Sequence, residues 1–357
     1  MNTELNVAFA PQFLDTNPYQ KQLSEALLEL KVNVQGISHH QVFLATNVKN
    51  LNTDILHLHW LHKYYRSSNF LKSILRTCKF ISGLAILKYS GVRIVWTAHN
   101  LKDHENLFPL SDQVCSFAVA LLSDAIISHS ESARQELQKK LNKKIREKVF
   151  VVPHGNYIDY YENTISQGDA RTNLNLPESA VIFLFFGLIR PYKGIPEMIR
   201  AFKKLNAKNA FLVIAGSSGD EELTQWIQKE TENSEHIRFH HGFVPDEEVQ
   251  IYMNACDVVV LPYRDSLTSG TLLLSMSFGR TCVAPSVGYI KEILCKESAF
   301  LYDPCSEEGL LEAMQSVVDN KPRCKAMGQS NLNLVKKLSW DKIATMTSKV
   351  YQHCLSK

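Results

Sequence analysis

Two cations lie close together in a short loop of the C-terminal half. The stretch "FFGLIRPYKGIPEMIRAF", residues 185–202, runs from an apolar strand pattern ending at Gly187 into a helical pattern that begins near residue 196. Arg190 and Lys193 fall between them, and Gly194 permits a tight turn before the helix. A guanidinium can grip two phosphate oxygens, and an ammonium adds a compact charge. This spacing favours a diphosphate site, although a solvated loop with ordinary surface charges is the simpler alternative.

A second stretch of small polar residues precedes another helical pattern. "PYRDSLTSGTLLLSMSFG", residues 262–279, places Ser269, Gly270 and Thr271 directly before an apolar run. Backbone N–H groups at a helix N-terminus often hold an anion. A plain N-cap made by a hydroxyl side chain would produce the same sequence. Because Arg190 and Lys193 already predict a diphosphate, we favour a phosphate-binding role for this stretch.

Groups that can transfer protons follow a predicted strand in the N-terminal half. The stretch "VWTAHNLKDHE", residues 95–105, ends an apolar run and then presents four candidates for acid–base catalysis: His99, Asp103, His104 and Glu105. A polar loop with one capping histidine is the alternative. Nearby, "HLHWLH" places His57 and His59 on one face of a strand. A zinc site would need further ligands in fixed geometry, so we expect no metal there.

Both halves of the chain alternate apolar strand patterns with helical patterns. Strands are expected at 5–10, 55–60, 92–97, 125–129 and 149–153, and then at 181–187, 210–216, 237–242, 257–262, 281–285 and 299–302. Apolar strands separated by helices are typical of parallel sheets covered on both faces. We therefore predict an α/β fold of two doubly wound Rossmann-like domains that face each other across a cleft, with ligands at the carboxyl ends of the strands.

The domain boundaries follow from a break in this pattern. Residues 159–178 lack apolar periodicity and are predicted to be a linker. The predicted domains are therefore 1–158 and 159–338. A final helix, 339–357, is expected to pack back on the N-terminal domain.

Composition restricts the partners and the compartment. The net charge of +3 over 357 residues argues against nucleic acid as a main partner. No apolar run is long enough to span a membrane, and the N-terminus does not resemble a signal peptide. Eight scattered cysteines without a C-x-x-C pair suggest reduced thiols in a cytoplasmic protein.

Charge is unevenly distributed in the N-terminal half. Residues 55–102 contain no Asp or Glu but eight basic residues: Lys63, Arg66, Lys72, Arg76, Lys79, Lys88, Arg93 and Lys102. Within this window Phe70, Ile74, Cys78, Ile81 and Ala85 recur at helical spacing. A basic helix with an apolar face can lie on an anionic membrane, so we predict peripheral association with the inner face of the membrane. An ordinary helix packed on the sheet is the alternative.

The loop that carries Arg190 and Lys193 resembles the "G-x-x-x-x-K-G" signature of GT-B glycosyltransferases, in particular those similar to glycosyltransferase family four (group 1). The resemblance continues through "AGSSGDEELTQWI", "HIRFHHGFVPDEEVQIYMNACDVVVLPY" and "SVGYIKEIL". It implies a hexosyltransferase that uses a nucleotide sugar, with an N-terminal acceptor domain and a C-terminal donor domain. It also implies that no metal or other cofactor is required at the donor.

The resemblance assigns roles to matching positions. Arg190 and Lys193 would neutralise the donor diphosphate beside Gly187, and His99 would touch the donor sugar and phosphate. Further donor-binding positions are implied at the end of a strand and at the glutamate of a "GG-x-x-E" element: Gly242, Phe243, Val244 and Glu292. The acceptor would be a glycan or a lipid-linked sugar in cell-surface polysaccharide or glycolipid synthesis.

One departure from the family pattern concerns the stretch before the second helix. Relatives carry two glutamates eight positions apart, where this chain has Ser266 and Leu274. Its "TSG" version resembles a branch that includes bacterial β-mannosyltransferases of polysaccharide assembly. The missing carboxylates leave the donor sugar and the stereochemical outcome open. They also admit a catalytically silent GT-B scaffold as the alternative, whereas the absence of G-x-G-x-x-G after the first strand argues against a dinucleotide enzyme.

Overall fold

The computed structural model describes residues 4–14, 17–42, 48, 52–67, 69–100, 109–140, 143–263 and 268–356. The chain forms two compact units. The first comprises Met1–Gly155 together with Leu338–Lys357, and the second comprises Asn156–Lys337. The sequence-based boundaries were 158/159 and 338/339.

The first unit is built on a parallel sheet. Among the described residues it has six strands in the order β2-β1-β3-β4-β5-β6: β1 Leu5–Ala10, β2 Val32–Gly36, β3 Ile55–Leu58, β4 Arg93–Thr97, β5 Ala125–Ser128 and β6 Val149–Val151. The register pairs Phe9 with His57 and His57 with Val95. The carboxyl ends of β1, β3 and β4 therefore come together at one edge of the sheet.

Helices cover both faces of this sheet. They are α1 Pro18–Glu29, α2 His39–Val42, α3 His62–Tyr65, α4 Phe70–Tyr89, α5 Pro109–Leu122, α6 Glu131–Lys140 and α7 Lys143–Arg146. Because side chains alternate along a strand, Ala8 and Ala10 of β1 pack in one core with Phe80 of α4. Val7 and Phe9 pack in a second core on the opposite face.

The second unit repeats the architecture. Its described residues form a parallel sheet of six strands in the order β12-β11-β10-β7-β8-β9: β7 Val181–Phe186, β8 Ala210–Gly216, β9 Ile237–His241, β10 Val258–Val260, β11 Thr281–Pro285 and β12 Ala299–Tyr302. Its helices are α8 Gln167–Asn173, α9 Ile195–Lys204, α10 Glu221–Thr231, α11 Val249–Ala255, α12 Gly270–Ser277, α13 Gly288–Ile293, α14 Gly309–Asp319 and α15 Lys321–Val335. The predicted α/β class with two parallel, helix-covered sheets is confirmed.

The last helix, α16 Trp340–Leu355, belongs to the first unit. Its Ile343, Tyr351 and Cys354 are buried in the same core as Val7 and Phe9 of β1. Trp340 packs so closely against Gly155 that a Cβ atom at position 155 would collide with the indole ring. A glycine is therefore required at this point of the first unit.

The prediction of a linker over residues 159–178 is wrong. This segment includes α8, which packs on α11 in the second unit. Arg171 is buried, and its guanidinium lies 2.9 Å from the Asp257 carboxylate and donates to the carbonyl oxygen of Ala255 at 3.0 Å. The polar residues that interrupt the apolar pattern are thus structural anchors. Among the described residues, no helix combines the length and the apolar composition needed to cross a bilayer.

Candidate functional site

The loop after β7 is held against Pro262, two residues beyond the end of β10. Pro191–Lys193 forms a single 3-10 turn, and Gly194 then adopts a positive φ of 70°. A Cβ atom on Gly194 would collide with the carbonyl oxygen of Pro262. Only glycine satisfies both the backbone conformation and the close approach. Lys193 lies next to Tyr263, whose side chain hydrogen-bonds with Ser269 and Thr271 at the start of α12.

The two loop cations have no anionic partner among the residues that the structure describes. The Lys193 ammonium lies 5.5 Å from the centre of the Tyr263 ring and 5.9 Å from that of Phe185. Burial lowers the pKa of Lys193, and the nearby Arg190 lowers it further. A partly buried cation is stabilised by a counter-charge. An anionic ligand would supply this counter-charge.

The N-terminus of α12 begins beside the end of β7. Ser269 is the N-cap, and its Oγ accepts from the backbone N–H of Leu272 at 3.1 Å. The Thr271 hydroxyl donates to the Phe186 carbonyl at 3.4 Å and would lie 3.4 Å from a Cβ on Gly187. The first N–H groups of a helix have no acceptor within the helix. The N-cap interpretation of this stretch is therefore compatible with an anion bound at Gly270 and Thr271.

Three glycines join the carboxyl ends of β7, β8 and β9. A Cβ on Gly216 would collide with the Gly187 carbonyl oxygen, and the N–H of Gly242 donates to the Gly216 carbonyl at 3.1 Å. Beyond Gly242, the Phe243 side chain is 80% exposed, and Val244 is half-buried. Sequence reasoning missed Gly216, although its position at the end of an apolar strand was a usable signal.

The remaining positions of the donor side lie on other elements than the loop after β7. Glu292 is exposed on α13, the short helix that follows β11. Leu274 is buried within α12. Ser266 lies outside the described residues. At Leu274, where relatives have a glutamate, this chain contributes a core side chain.

In the first unit, buried histidines lie at the carboxyl ends of neighbouring strands. His99, which follows β4, is 6% exposed and stacks on Trp60 with ring centres 4.3 Å apart. Both of its ring nitrogens are engaged: Nε2 lies 3.0 Å from Nδ1 of His59, and Nδ1 lies 3.3 Å from Nε2 of His129. His99 can serve a substrate only after one of these hydrogen bonds is exchanged. Asp103, His104 and Glu105 lie within 101–108, outside the described residues.

Other histidines of this group are also buried. The two nitrogens of His57 lie 2.7 Å from the Tyr351 hydroxyl and 2.7 Å from the Thr97 hydroxyl. Burial lowers the pKa of His57 to about 3 and that of His154 to about 3. Among the described residues, no group of three or more His, Cys, Asp or Glu side chains could hold a metal ion.

Sequence reasoning missed the members of this cluster that come from other strand ends. His129 follows β5, and His154 lies just beyond β6. The Tyr19 ring is buried between them, with centres 5.4 Å from His129 and 4.8 Å from His154. A histidine within three residues of the end of each of the four strands β3 to β6 was the available signal.

Comparison with known proteins concerns the family and the fold of the chain. Residues 166–333 match the family model described as "Glycosyl transferases group 1". The GDP-mannose:glycolipid 4-beta-D-mannosyltransferase of Xanthomonas campestris pv. campestris is 26% identical over 347 residues, which cover 96% of this chain and 90% of that protein.

Solved structures match over nearly the whole chain. Sucrose-phosphate synthase from Thermosynechococcus elongatus has a TM-score of 0.78 at 17% identity, with 99% of each chain covered. Anabaena HepE in complex with UDP and glucose has a TM-score of 0.76 at 14% identity, with 97% of this chain and 98% of that chain covered. The chain is therefore a glycosyltransferase of the GT-B fold whose residues 166–333 form a glycosyl transferases group 1 domain.

Proposed function

We propose that this chain transfers a hexosyl residue from a nucleotide-diphosphate sugar to a glycan or lipid-linked acceptor, with the donor diphosphate at Arg190, Lys193 and the N-terminus of α12. The observation that carries the proposal is the pair of cations without an anionic partner among the described residues, together with the N-terminal turn of α12. Lys193 lies 5.5 Å from the ring of Tyr263, and Tyr263 hydrogen-bonds with Ser269 and Thr271 of that turn. A diphosphate satisfies both features, because it offers oxygens to the cations and to helix N–H groups.

The chemistry requires a stabilised leaving group. The acceptor oxygen forms a bond to the anomeric carbon, and the bond from that carbon to the diphosphate breaks with its electron pair on the departing oxygen. Arg190 and Lys193 neutralise the negative charge that develops there. They do so without a metal ion, so we expect transfer to continue in the presence of EDTA. In an inverting reaction, the acceptor proton passes to a base in the segment that follows His99: Asp103, His104 or Glu105.

GDP-mannose is the first donor to test. The name of the Xanthomonas relative, whose alignment covers 96% of this chain, gives GDP-mannose as its donor. By comparison, the HepE structure contains UDP and glucose. The exposed Phe243 offers an apolar ring against which either nucleobase could pack. Glu292 would contact the donor as in relatives.

A donor panel tests this proposal. Release of nucleoside diphosphate from GDP-mannose, GDP-glucose, UDP-glucose and UDP-galactose is measured with a bacterial glycolipid extract as acceptor. We expect sugar transfer to the lipid fraction with one donor in strong preference, in EDTA-containing buffer. Absence of both hydrolysis and transfer with every donor would favour the catalytically silent scaffold.

We further propose that the acceptor is reached at an anionic membrane surface through helices α4 and α5. An exposed apolar row runs along α4 through Leu71, Leu75, Ile86 and Tyr89, and another runs along α5: Leu110, Val114, Phe117 and Leu121. By contrast, polar Ser73 of α4 is buried and donates to Ser111 of α5 at 3.0 Å. Apolar side chains are exposed on these two helices while polar ones are buried between them. This supports contact of the exposed face with lipid rather than with water.

Charge on this face favours anionic lipid. Lys72 and Lys79 are exposed on α4. The acidic residue of α5, Asp112, is buried and accepts from the Tyr65 hydroxyl at 2.8 Å. The row predicted from the sequence, which begins at Phe70 and Ile74, lies beside the most exposed row and is only partly accessible.

Vesicle sedimentation tests this surface. Removing two lysines by Lys72→Gln and Lys79→Gln is expected to weaken binding to phosphatidylglycerol-containing vesicles by about 30-fold at low salt, since each basic residue contributes about 1 kcal/mol. The control pair Lys229→Gln and Lys325→Gln removes the same charge from exposed positions of the second unit and should leave binding unchanged.

The apolar row is tested in the same assay. Leu71→Ser with Leu75→Ser should reduce binding even at high salt, whereas Leu28→Ser with Leu355→Ser, at exposed positions elsewhere in the first unit, should not. Equal effects of test and control pairs would contradict the membrane proposal and favour a water-soluble acceptor.

A further inference from the structure

Three buried imidazoles form one line of hydrogen bonds that starts at a backbone carbonyl. Nδ1 of His129 lies 3.0 Å from the carbonyl oxygen of Val152. Nε2 of His129 lies 3.3 Å from Nδ1 of His99, and Nε2 of His99 lies 3.0 Å from Nδ1 of His59. The line crosses the carboxyl ends of β6, β5, β4 and β3 in order.

The carbonyl fixes where every proton in this line must be. A carbonyl oxygen only accepts, so Nδ1 of His129 carries the proton and donates it. Burial lowers the pKa of His129 to about 4 and lowers those of His59 and His99 well below their ordinary value, so the three rings are neutral at pH 7. Nε2 of His129 is then an acceptor, and Nδ1 of His99 must donate to it.

The proton positions of His99 and His59 follow in the same way. With its proton on Nδ1, neutral His99 has a lone pair on Nε2, and Nδ1 of His59 donates to it. His59 is left with a lone pair on its own Nε2. That atom is buried and has no hydrogen-bond partner among the described residues. The line therefore begins at the Val152 carbonyl oxygen, which can only accept, and ends at Nε2 of His59, whose lone pair has no donor among the described residues.

Packing holds the rings in this alignment. Trp60 stacks on His99 with only 9° between the ring planes. Tyr19 contacts both His99 and His129 edge to face, with ring centres 5.0 Å and 5.4 Å away. A flip of either imidazole would break a hydrogen bond inside a buried aromatic cluster, so the tautomers are coupled to one another.

We propose that His129 is a positioning residue that, together with the Val152 carbonyl, locks His99 as a neutral imidazole with its proton on Nδ1, so that Nε2 of His99 serves substrate only as a hydrogen-bond acceptor. This inference rests on the proposed sugar transfer for its substrate. An acceptor nitrogen binds an O–H group, such as a sugar hydroxyl, in exchange for the His59 bond. It does not bind a phosphate oxygen, which would require an N–H. His99 thus recognises a sugar hydroxyl and not a phosphate.

Two substitutions of His129 separate positioning from packing. In His129→Gln the amide N–H₂ can donate to the Val152 carbonyl and the amide oxygen can accept from His99, which preserves the direction of the line. His129→Leu fills similar space but removes both hydrogen bonds. We expect kcat/KM for the donor to fall at least about tenfold in the leucine variant, because His99 no longer presents an ordered acceptor to the sugar hydroxyl, and to stay within about threefold of wild type in the glutamine variant.

Nitrogen-15 NMR of the histidine rings reads the tautomer directly, with no need for turnover. Wild type and His129→Gln should show a protonated Nδ1 and a bare Nε2 on His99 and His59. His129→Leu should lose this pattern at His99. A protonated Nε2 on His99 in wild type, or glutamine and leucine variants equally impaired, would overturn the inference. Correct tautomers in a chain that transfers no sugar would instead count against the proposed function alone.

Discussion

Replacing both Arg190 and Lys193 by alanine is expected to lower kcat by at least about 100-fold while leaving the fold intact. Each cation stabilises the negative charge that develops on the departing diphosphate. Loss of one such preorganised group typically lowers the rate by roughly 10²–10³-fold. Each single variant should therefore lose at least about tenfold. Neither cation has an ion-pair partner among the described residues, so its removal leaves no buried carboxylate uncompensated.

The matched control lies on the helix that follows the same loop. Lys203→Ala with Lys204→Ala removes the same charge from α9, where the two ammonium groups pair with Glu230 and Glu308 at the surface. This pair should keep near-normal turnover, because surface ion pairs contribute little. Steady-state kinetics with circular dichroism as a fold check decides the matter, and near-normal activity of the loop double variant would refute the assignment of the donor site.

Acid is expected to unfold the first unit well before the second. Among its described residues five histidines are buried, and all five have a lowered pKa in the folded state: His57, His59, His99, His129 and His154. The unfolded chain therefore binds more protons between the ordinary value of 6.5 and the folded values, of which those of His129 and His154 are about 4 and about 3. Stability is full above pH 6.5 and is lost as the pH falls through this window.

The expected size of this effect is large. At pH 5 each such histidine costs about 2 kcal/mol, so five together cost on the order of 10 kcal/mol. This is comparable to the whole unfolding free energy of a typical domain. We expect unfolding of the first unit between about pH 6 and 4.5.

Tryptophan fluorescence is a suitable probe, because Trp60, Trp96 and Trp340 lie in the first unit. His57→Gln with His154→Gln should move the acid midpoint down by about half a pH unit or more. The exposed His241→Gln in the second unit should not move it. An unchanged native spectrum down to pH 4 would show that the histidines are not buried as described.

The loop that carries Arg190 and Lys193 could be singled out from the sequence as a candidate donor site because its determinants are local. Gly187, Arg190, Lys193 and Gly194 lie within eight consecutive residues between a strand and a helix, so their spacing favours a diphosphate site, which stays a prediction. The histidine line could not be predicted. Its members come from four strand ends, and only the order of strands in the sheet brings them together.

Two errors have a common physical origin. Strand β2 was missed because it lies at the sheet edge, where only Val32 is fully buried and the apolar signal is short. The apolar pattern predicts a linker over residues 159–178 because the ion pair of Arg171 with Asp257 anchors this segment by charge rather than by apolar contacts. Patterns of apolar residues do not detect elements held mainly by hydrogen bonds and ion pairs.

The central claim is that Arg190 and Lys193 hold the diphosphate of the donor. Calorimetric titration of GDP, UDP and the corresponding nucleosides into wild type and the Arg190→Ala/Lys193→Ala variant tests it most directly. We predict that wild type binds one nucleoside diphosphate at least about tenfold more tightly than its nucleoside, and that the double variant loses this difference. Equal affinity of the two proteins for the nucleoside diphosphate would contradict the account.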